Sequence, residues 1–198
     1  MTIAYEVGTG LYINLTNKCP CACTFCIRLE ADGVQPGQNL WLEREPDIDE
    51  VKAAIDAKDL SKYSEIVFCG FGEPCERLDI LLATAEHIKN TCDLPIRLNT
   101  NGLSDLINKK PTAGLLAQHI DNISISLNAA DAETYNKRCN PIYDGAFEAI
   151  IRFALECKGL FPTVTMSLVD VPEAEMKDGE TEQCRRLCEG LGLPLRVR

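Results

Sequence analysis

Four thiols fall within eight residues, Cys19-Pro20-Cys21-Ala22-Cys23-Thr24-Phe25-Cys26. Cysteines crowded into one loop of a reduced protein can grip zinc or hold an iron–sulfur cluster. Zinc takes four nitrogen or sulfur ligands, commonly as two separated pairs. Here all four thiols are consecutive in one loop, and Cys21 would have to reach back into a site its neighbours already fill. One spacing stands out: Cys19, three residues, Cys23, two residues, Cys26, with the aromatic Phe25 just before the last thiol.

A second stretch able to do chemistry is Gly70-Phe71-Gly72-Glu73-Pro74. Its glycines permit close backbone approach, and its proline stiffens the turn. Polar residues recur at Asn99, Thr100 and Asn101, at Ser126 and Asn128, and at Ser167. Their amides and hydroxyls both donate and accept hydrogen bonds. Other residues have blander readings. Cys69 ends a strand and Cys75 follows close by. Cys184 and Cys188 are four apart on one helix face. His87 and His119 are single and distant in sequence, and Trp41 is the only tryptophan.

The elements that must position these groups read as strand followed by helix, repeated six times. Strands are expected at residues 11–16, 64–69, 95–100, 122–127, 163–169 and 193–197. The loop at 17–38 carries the four thiols and then two turn signals, Asp32-Gly33 and Pro36-Gly37. Asp47 with Glu50 three residues on reads as a capping box opening a helix. Further helices are expected at 78–89, in broken form to about 118, and at 131–138, 144–157 and 179–190. Crossovers of this length join parallel strands. Six strands cannot close an eight-stranded barrel, so the expected fold is α/β, a partial open (β/α)6 TIM-like barrel forming one domain over 1–198. In such folds ligands sit at the carboxyl ends of the strands, where the thiol loop, the Gly70–Pro74 stretch and the polar residues all fall.

The cysteine spacing resembles the signature of the radical S-adenosylmethionine (radical SAM) superfamily. The resemblance implies that Cys19, Cys23 and Cys26 hold a 4Fe-4S cluster, beside Phe25, and leave one iron bare for the amino and carboxylate groups of SAM. Cys21 is then a bystander. Gly70, Phe71, Gly72, Glu73 and Pro74 are similar to the family's Gly-Gly-Glu-Pro motif, whose backbone contacts the SAM amino group; Phe71 replaces a glycine. Asn99, Asn101, Ser126 and Asn128 would contact the methionine carboxylate and ribose, and Ser167 would lie near adenine, although the family's Gly-Ile-Gly-like pattern is missing there. The implied chemistry is one-electron cleavage of SAM to methionine and a 5′-deoxyadenosyl radical that takes hydrogen from a substrate.

Within the superfamily the chain resembles small radical SAM proteins linked to TatD-type nucleases. The shared stretches are Tyr12-Ile13-Asn14-Leu15-Thr16-Asn17, Cys69 through Pro74, and Leu195-Arg196-Val197-Arg198. The implied partners are an external one-electron reductant of flavodoxin or ferredoxin type and a TatD-type nuclease. Two other readings are glycyl-radical-enzyme activases and 7-carboxy-7-deazaguanine synthases. In the latter the residue after the last cluster cysteine tends to be a small hydroxyl residue, and here it is Ile27. A non-enzymatic reading is an interaction module with zinc in the cysteine loop.

Charge and composition bound the rest. The 198 residues include 30 acidic and 20 basic side chains, giving a formal charge of -10. That argues against a broad nucleic-acid face, which needs a basic surface. No leader shape opens the chain and no apolar run approaches membrane-spanning length. Eleven cysteines then fit a cytoplasmic, reducing setting.

Overall fold

The computed structural model describes residues 1–169 and 179–198. Among them, seven strands form one sheet in sequence order: β1 (Ala4–Val7), β2 (Gly10–Ile13), β3 (Glu65–Phe68), β4 (Ile96–Thr100), β5 (Asn122–Ser126), β6 (Thr163–Leu168) and β7 (Leu195–Val197). The pairings from β2 to β7 are all parallel. The sheet ends at β1 and β7 rather than closing on itself. These are the six parallel strands of the expected partial barrel.

β1 is an addition to that expectation. It pairs antiparallel with β2, Val7 opposite Gly10, so the connection is only Gly8-Thr9. Gly8 has φ +57°, as the first residue of a tight hairpin turn commonly needs. The signal was present in Val7-Gly8-Thr9-Gly10, but a four-residue strand at the start of a chain has too little periodicity to announce itself.

Seven helices cross between the parallel strands: α1 (Ile48–Asp56), α2 (Leu78–Thr91), α3 (Ser104–Asn108), α4 (Ala113–Leu116), α5 (Ala132–Cys139), α6 (Ala146–Lys158) and α7 (Glu180–Leu191). α1 begins as expected. Asp47 Oδ1 accepts from the Glu50 amide at 2.9 Å, and Glu50 Oε2 accepts from the Asp47 amide at 3.0 Å. α5 starts on Asp131, whose carboxylate accepts from the Thr134 amide at 2.8 Å. It stops at Asn140, which takes φ +42° and is followed by Pro141.

Strand alternation splits the sheet into two faces. On the helix side Ile13, Ile66, Phe68, Ile96, Leu98, Ile123, Ile125 and Met166 are buried against Val51, Ile55, Leu81, Ile88, Ile150 and Phe153. The other, inner face carries Tyr12, Val67, Arg97, Asn99, Ser124, Ser126, Ser167 and Arg196, brought side by side by strand register. The apolar face thus builds the core and leaves a polar wall inside the open barrel. No described helix is long and apolar enough to cross a membrane.

Candidate active site

The cysteine loop leaves the carboxyl end of β2 and is held by backbone bonds on two sides. On one side it lies across the end of α5. The Ala22 amide donates to the Cys139 carbonyl at 3.0 Å, Thr24 to Arg138 at 2.9 Å, and the Ile142 amide to the Pro20 carbonyl at 2.9 Å. Cys21 forms an isolated antiparallel bridge with Pro141. The last-turn carbonyls of a helix lack intrahelical donors, and here the loop supplies them.

On the other side the loop meets the stretch after β3. The Glu73 amide donates to the Lys18 carbonyl at 2.8 Å. A Cβ on Gly72 would stand 2.3 Å from the Thr16 carbonyl oxygen and 2.5 Å from that of Lys18. A Cβ on Gly70 would stand 2.0 Å from Asn14 Oδ1. Both positions therefore exclude a side chain, so the two motifs fit together as one backbone unit. Phe71, where the family has glycine, is buried with Tyr5 and Leu40. Trp41 stacks edge-on against it at 5.0 Å between ring centroids, so the tryptophan packs on this motif. Arg28 ties the far end of the loop back, donating to the carbonyls of Asn17 at 3.1 Å and Phe71 at 3.4 Å.

Glu73 is buried and its carboxylate is fully engaged. It accepts from the Cys75 amide at 3.1 Å, the Thr100 hydroxyl at 2.8 Å and the Asn101 amide at 2.7 Å. Burial nevertheless pushes its pKa above the ordinary carboxylate value, against the pull of those donors. Glu73 works as a brace joining the β3 and β4 ends.

Cys19, Cys23 and Cys26 are half-buried and Cys21 is buried. Asn101 Nδ2 lies 3.9 Å from Cys19 Sγ and 4.0 Å from Cys21 Sγ. Cys21 Sγ is 3.8 Å from the Tyr135 hydroxyl, and Cys23 Sγ is 3.8 Å from the Cys139 carbonyl. Asn128, at φ +57°, directs Nδ2 to Cys139 Sγ at 3.9 Å. Donation of its own S–H to Cys21 and then burial raise the Cys19 thiol well above its ordinary pKa, and the side chain of Cys139 raises Cys23. Cys26 opens a short 3-10 turn, Ile27–Leu29. Among the described residues no three His, Cys, Asp or Glu side chains converge as ligands of a single metal ion would.

Apart from Cys26, which stands at the head of the 3-10 turn, and the Gly70–Pro74 turn already described, the expected site residues fall into two sets. Cys19, Cys23, Asn101, Asn128 and Glu73 gather around the cysteine loop, with Phe25 packed beside the core. Asn99, Ser126 and Ser167 stand on the inner wall, where Asn99 accepts from Arg97 at 2.7 Å and the Ser167 hydroxyl is 3.5 Å from the Ile125 carbonyl. Sequence reasoning missed Tyr135, Arg138 and Cys139. Their only trace was Arg138-Cys139-Asn140-Pro141 at a helix end, and nothing local links that stretch to a loop more than a hundred residues earlier. Cys184 and Cys188 are both buried in the core, and His87 pairs with Asp56 at 2.8 Å on a helix flank.

Comparison with known proteins adds the following. A GTP 3',8-cyclase of Mycobacterium ulcerans (strain Agy99) is 26% identical over 201 residues, spanning 96% of this chain and 49% of that protein. GTP 3',8-cyclases of Paenarthrobacter nicotinovorans and Corynebacterium glutamicum (strain R) are 29% and 31% identical, each over 66% of this chain and over 34% and 33% of their own length. The chain therefore spans between a third and a half of the curated relatives it matches. A radical SAM methyltransferase from Sphaerobacter thermophilus superposes with a TM-score of 0.63 at 19% identity, over 98% of this chain and 57% of that one. The structure of native anSMEcpe with bound AdoMet does so with a TM-score of 0.60 at 16% identity, over 94% of this chain and 50% of that one. The model of the Radical SAM superfamily matches residues 13–181, from the last residue of β2 through the cysteine loop to the start of α7, and the chain belongs to that superfamily, whose enzymes use a 4Fe-4S cluster and S-adenosylmethionine.

Proposed function

We propose that this chain binds a 4Fe-4S cluster through Cys19, Cys23 and Cys26 and uses it to cleave SAM reductively. The observation that carries the reading is the joint between the two motifs. Gly72 has no room for a Cβ against the Thr16 and Lys18 carbonyls, and the adjoining Glu73 amide bonds to Lys18. A cluster loop and a SAM-binding turn must share one frame if a nucleotide on one is to reach iron on the other. When bound, the cluster and SAM supply one-electron cleavage to methionine and a 5′-deoxyadenosyl radical.

The chain's own part is to hold and to exclude. Cys19, Cys23 and Cys26 present thiolates. The turn at Gly70, Phe71, Gly72, Glu73 and Pro74 presents backbone to the methionine amino group. Asn99, Asn101, Ser126 and Asn128 offer donors and acceptors to carboxylate and ribose, and Ser167 lines the adenine side. Phe71, buried beneath the half-exposed Trp41 ring, covers one flank of the turn against water. A flavodoxin- or ferredoxin-type donor supplies the electron, and the link to a TatD-type nuclease rests on the sequence likeness alone. The relatives' name brings GTP into consideration as a substrate. Ile27, 45% exposed next to Cys26, offers no hydroxyl for a second metal, which weighs against a 7-carboxy-7-deazaguanine synthase.

The test is anaerobic incubation of the reconstituted chain with SAM and dithionite. Methionine and 5′-deoxyadenosine should form in equal amounts. Cys19→Ala, Cys23→Ala and Cys26→Ala should each abolish the products, while Cys21→Ala should retain them. Product from any of the first three, or none from Cys21→Ala, contradicts the ligand assignment.

A further inference from the structure

Cys139 closes α5 and is buried at 1% exposure. It is no part of the ligand set above, yet it lies against the cysteine loop. The backbone bonds there follow an antiparallel register. The Ala22 amide donates to the Asn140 carbonyl at 3.3 Å and the Ile142 amide to the Pro20 carbonyl at 2.9 Å, with Cys21 opposite Pro141 between them. The Thr24 amide then donates to the Arg138 carbonyl at 2.9 Å. That bond carries the register two residues further and sets Cys23 opposite Cys139. Facing residues that share no direct backbone bond lie about 4.5 Å apart at Cα, with their side chains close. A disulfide spans such a separation.

The side chains agree with the register. Cys23 Sγ is 3.8 Å from the Cys139 carbonyl. Its S–H donates to the Cys139 side chain, the largest influence raising the Cys23 thiol. Asn128 Nδ2 stands 3.9 Å from Cys139 Sγ on another side. The other loop thiols face elsewhere: Cys21 toward Pro141 and the Tyr135 hydroxyl, Cys19 toward Asn101, and Cys26 into the 3-10 turn. Access to the pair is unequal. Cys23 is half-buried between exposed Ala22 and Thr24, whereas Cys139 is covered. A dissolved oxidant therefore meets Cys23 first.

We propose that Cys23 and Cys139 form an oxidative modification site, in which a small-molecule disulfide is resolved into a Cys23–Cys139 bond in the cluster-free chain. The Cys23 thiolate attacks the incoming disulfide and expels one thiolate, leaving a mixed disulfide on Cys23. The Cys139 sulfur then attacks Cys23 Sγ and expels the second thiolate, which takes up the Cys139 proton. Two protein thiols lose two electrons, and the oxidant leaves as two thiols. The new bond pins the loop to α5 and withholds the Cys23 ligand until a thiol reductant reopens it. That last consequence rests on the radical SAM reading; the bond itself does not.

The test treats the full cluster-free chain with oxidised glutathione without air, caps the remaining thiols with iodoacetamide, and maps the linkages by tandem mass spectrometry. Cys23 should be joined to Cys139, and dithiothreitol should release both. Cys139→Ser and Cys139→Ala should instead hold one glutathionyl group on Cys23, while Cys21→Ser should still form the bond. Cys139 left open to capping, or Cys23 joined to Cys19, Cys21 or Cys26, overturns the inference. So does a bond map that the Cys139 variants leave unchanged. Iron uptake is measured on the same samples. The oxidised chain should take up none until dithiothreitol is added, and uptake equal to that of the reduced chain defeats the lock. A chain that forms the bond but takes up no iron even when reduced defeats the radical SAM reading and leaves the thiol pair standing.

Discussion

Gly72 is the residue on which the site most depends. Its missing side chain lets the Gly70–Pro74 turn touch the cysteine loop, and the atoms in the way are backbone carbonyls that cannot swing aside. Gly72→Ala should therefore lower iron retention after gel filtration and destabilise the fold by about 1–3 kcal/mol, as overpacking does. Full iron occupancy with unchanged melting would show that the loop can slide. The glycine was legible in the sequence as part of a motif. The reason for it was not, because the carbonyls of Thr16 and Lys18 lie more than fifty residues away in the chain. Phe71 shows the reverse. In the sequence it is a departure from the family pattern; in the fold it is buried with Tyr5 and Leu40 under Trp41. The departure changes packing behind the turn, while Gly70 and Gly72 keep the face toward the loop open.

At the scale of elements, α5 is the support that the sequence concealed. Its last turn accepts two amides from the cysteine loop, and the helix is pinned by Arg138, buried against Glu180 at the start of α7 with bonds of 2.7 and 2.9 Å. Arg138 also donates to the Asn128 carbonyl at 2.7 Å. Removing one partner of a buried pair strands the other charge at about 3–5 kcal/mol. Glu180→Ala should thus lower stability in urea by that amount and speed iron loss, although Glu180 touches no cysteine. Unaltered iron retention would dissociate α5 from the loop.

The β3–β4 pair Glu65–Arg97 makes a different prediction. Hydrogen bonding to Arg97 holds Glu65 below the ordinary carboxylate value. The folded state then binds its proton less readily than the unfolded state. The contribution is fully present above the unfolded pKa of about 4.3 and is lost as pH falls through the lower folded value. Acid titration of stability should show Glu65→Gln lacking that part of the decline, and identical acid limbs would mean that the pair contributes nothing.

For the whole molecule, strand order and helix positions could be read from periodicity, since the parallel strands are short stretches with apolar residues at alternate positions and the crossovers are amphipathic. The opening hairpin, the clamp of α5 on the loop and the polar inner wall could not, because each depends on residues that only the sheet brings together. Arg97 and Arg196 are ninety-nine positions apart and share a wall only because β4 through β7 pair in register. The family and the site frame agree at this scale: a six-stranded parallel half-barrel with its thiols and its glycine turn at the same strand ends.

The claim under everything else is that three thiols of one loop carry a cube. The measurement that bears on it most directly is metal content after anaerobic reconstitution, for the natural chain and for Cys19→Ala, Cys21→Ala, Cys23→Ala and Cys26→Ala. The account predicts a brown protein with about four irons per chain, retained in Cys21→Ala and lost in the other three. A colourless protein with one tightly held zinc, or loss of iron on replacing Cys21 rather than Cys26, would contradict it.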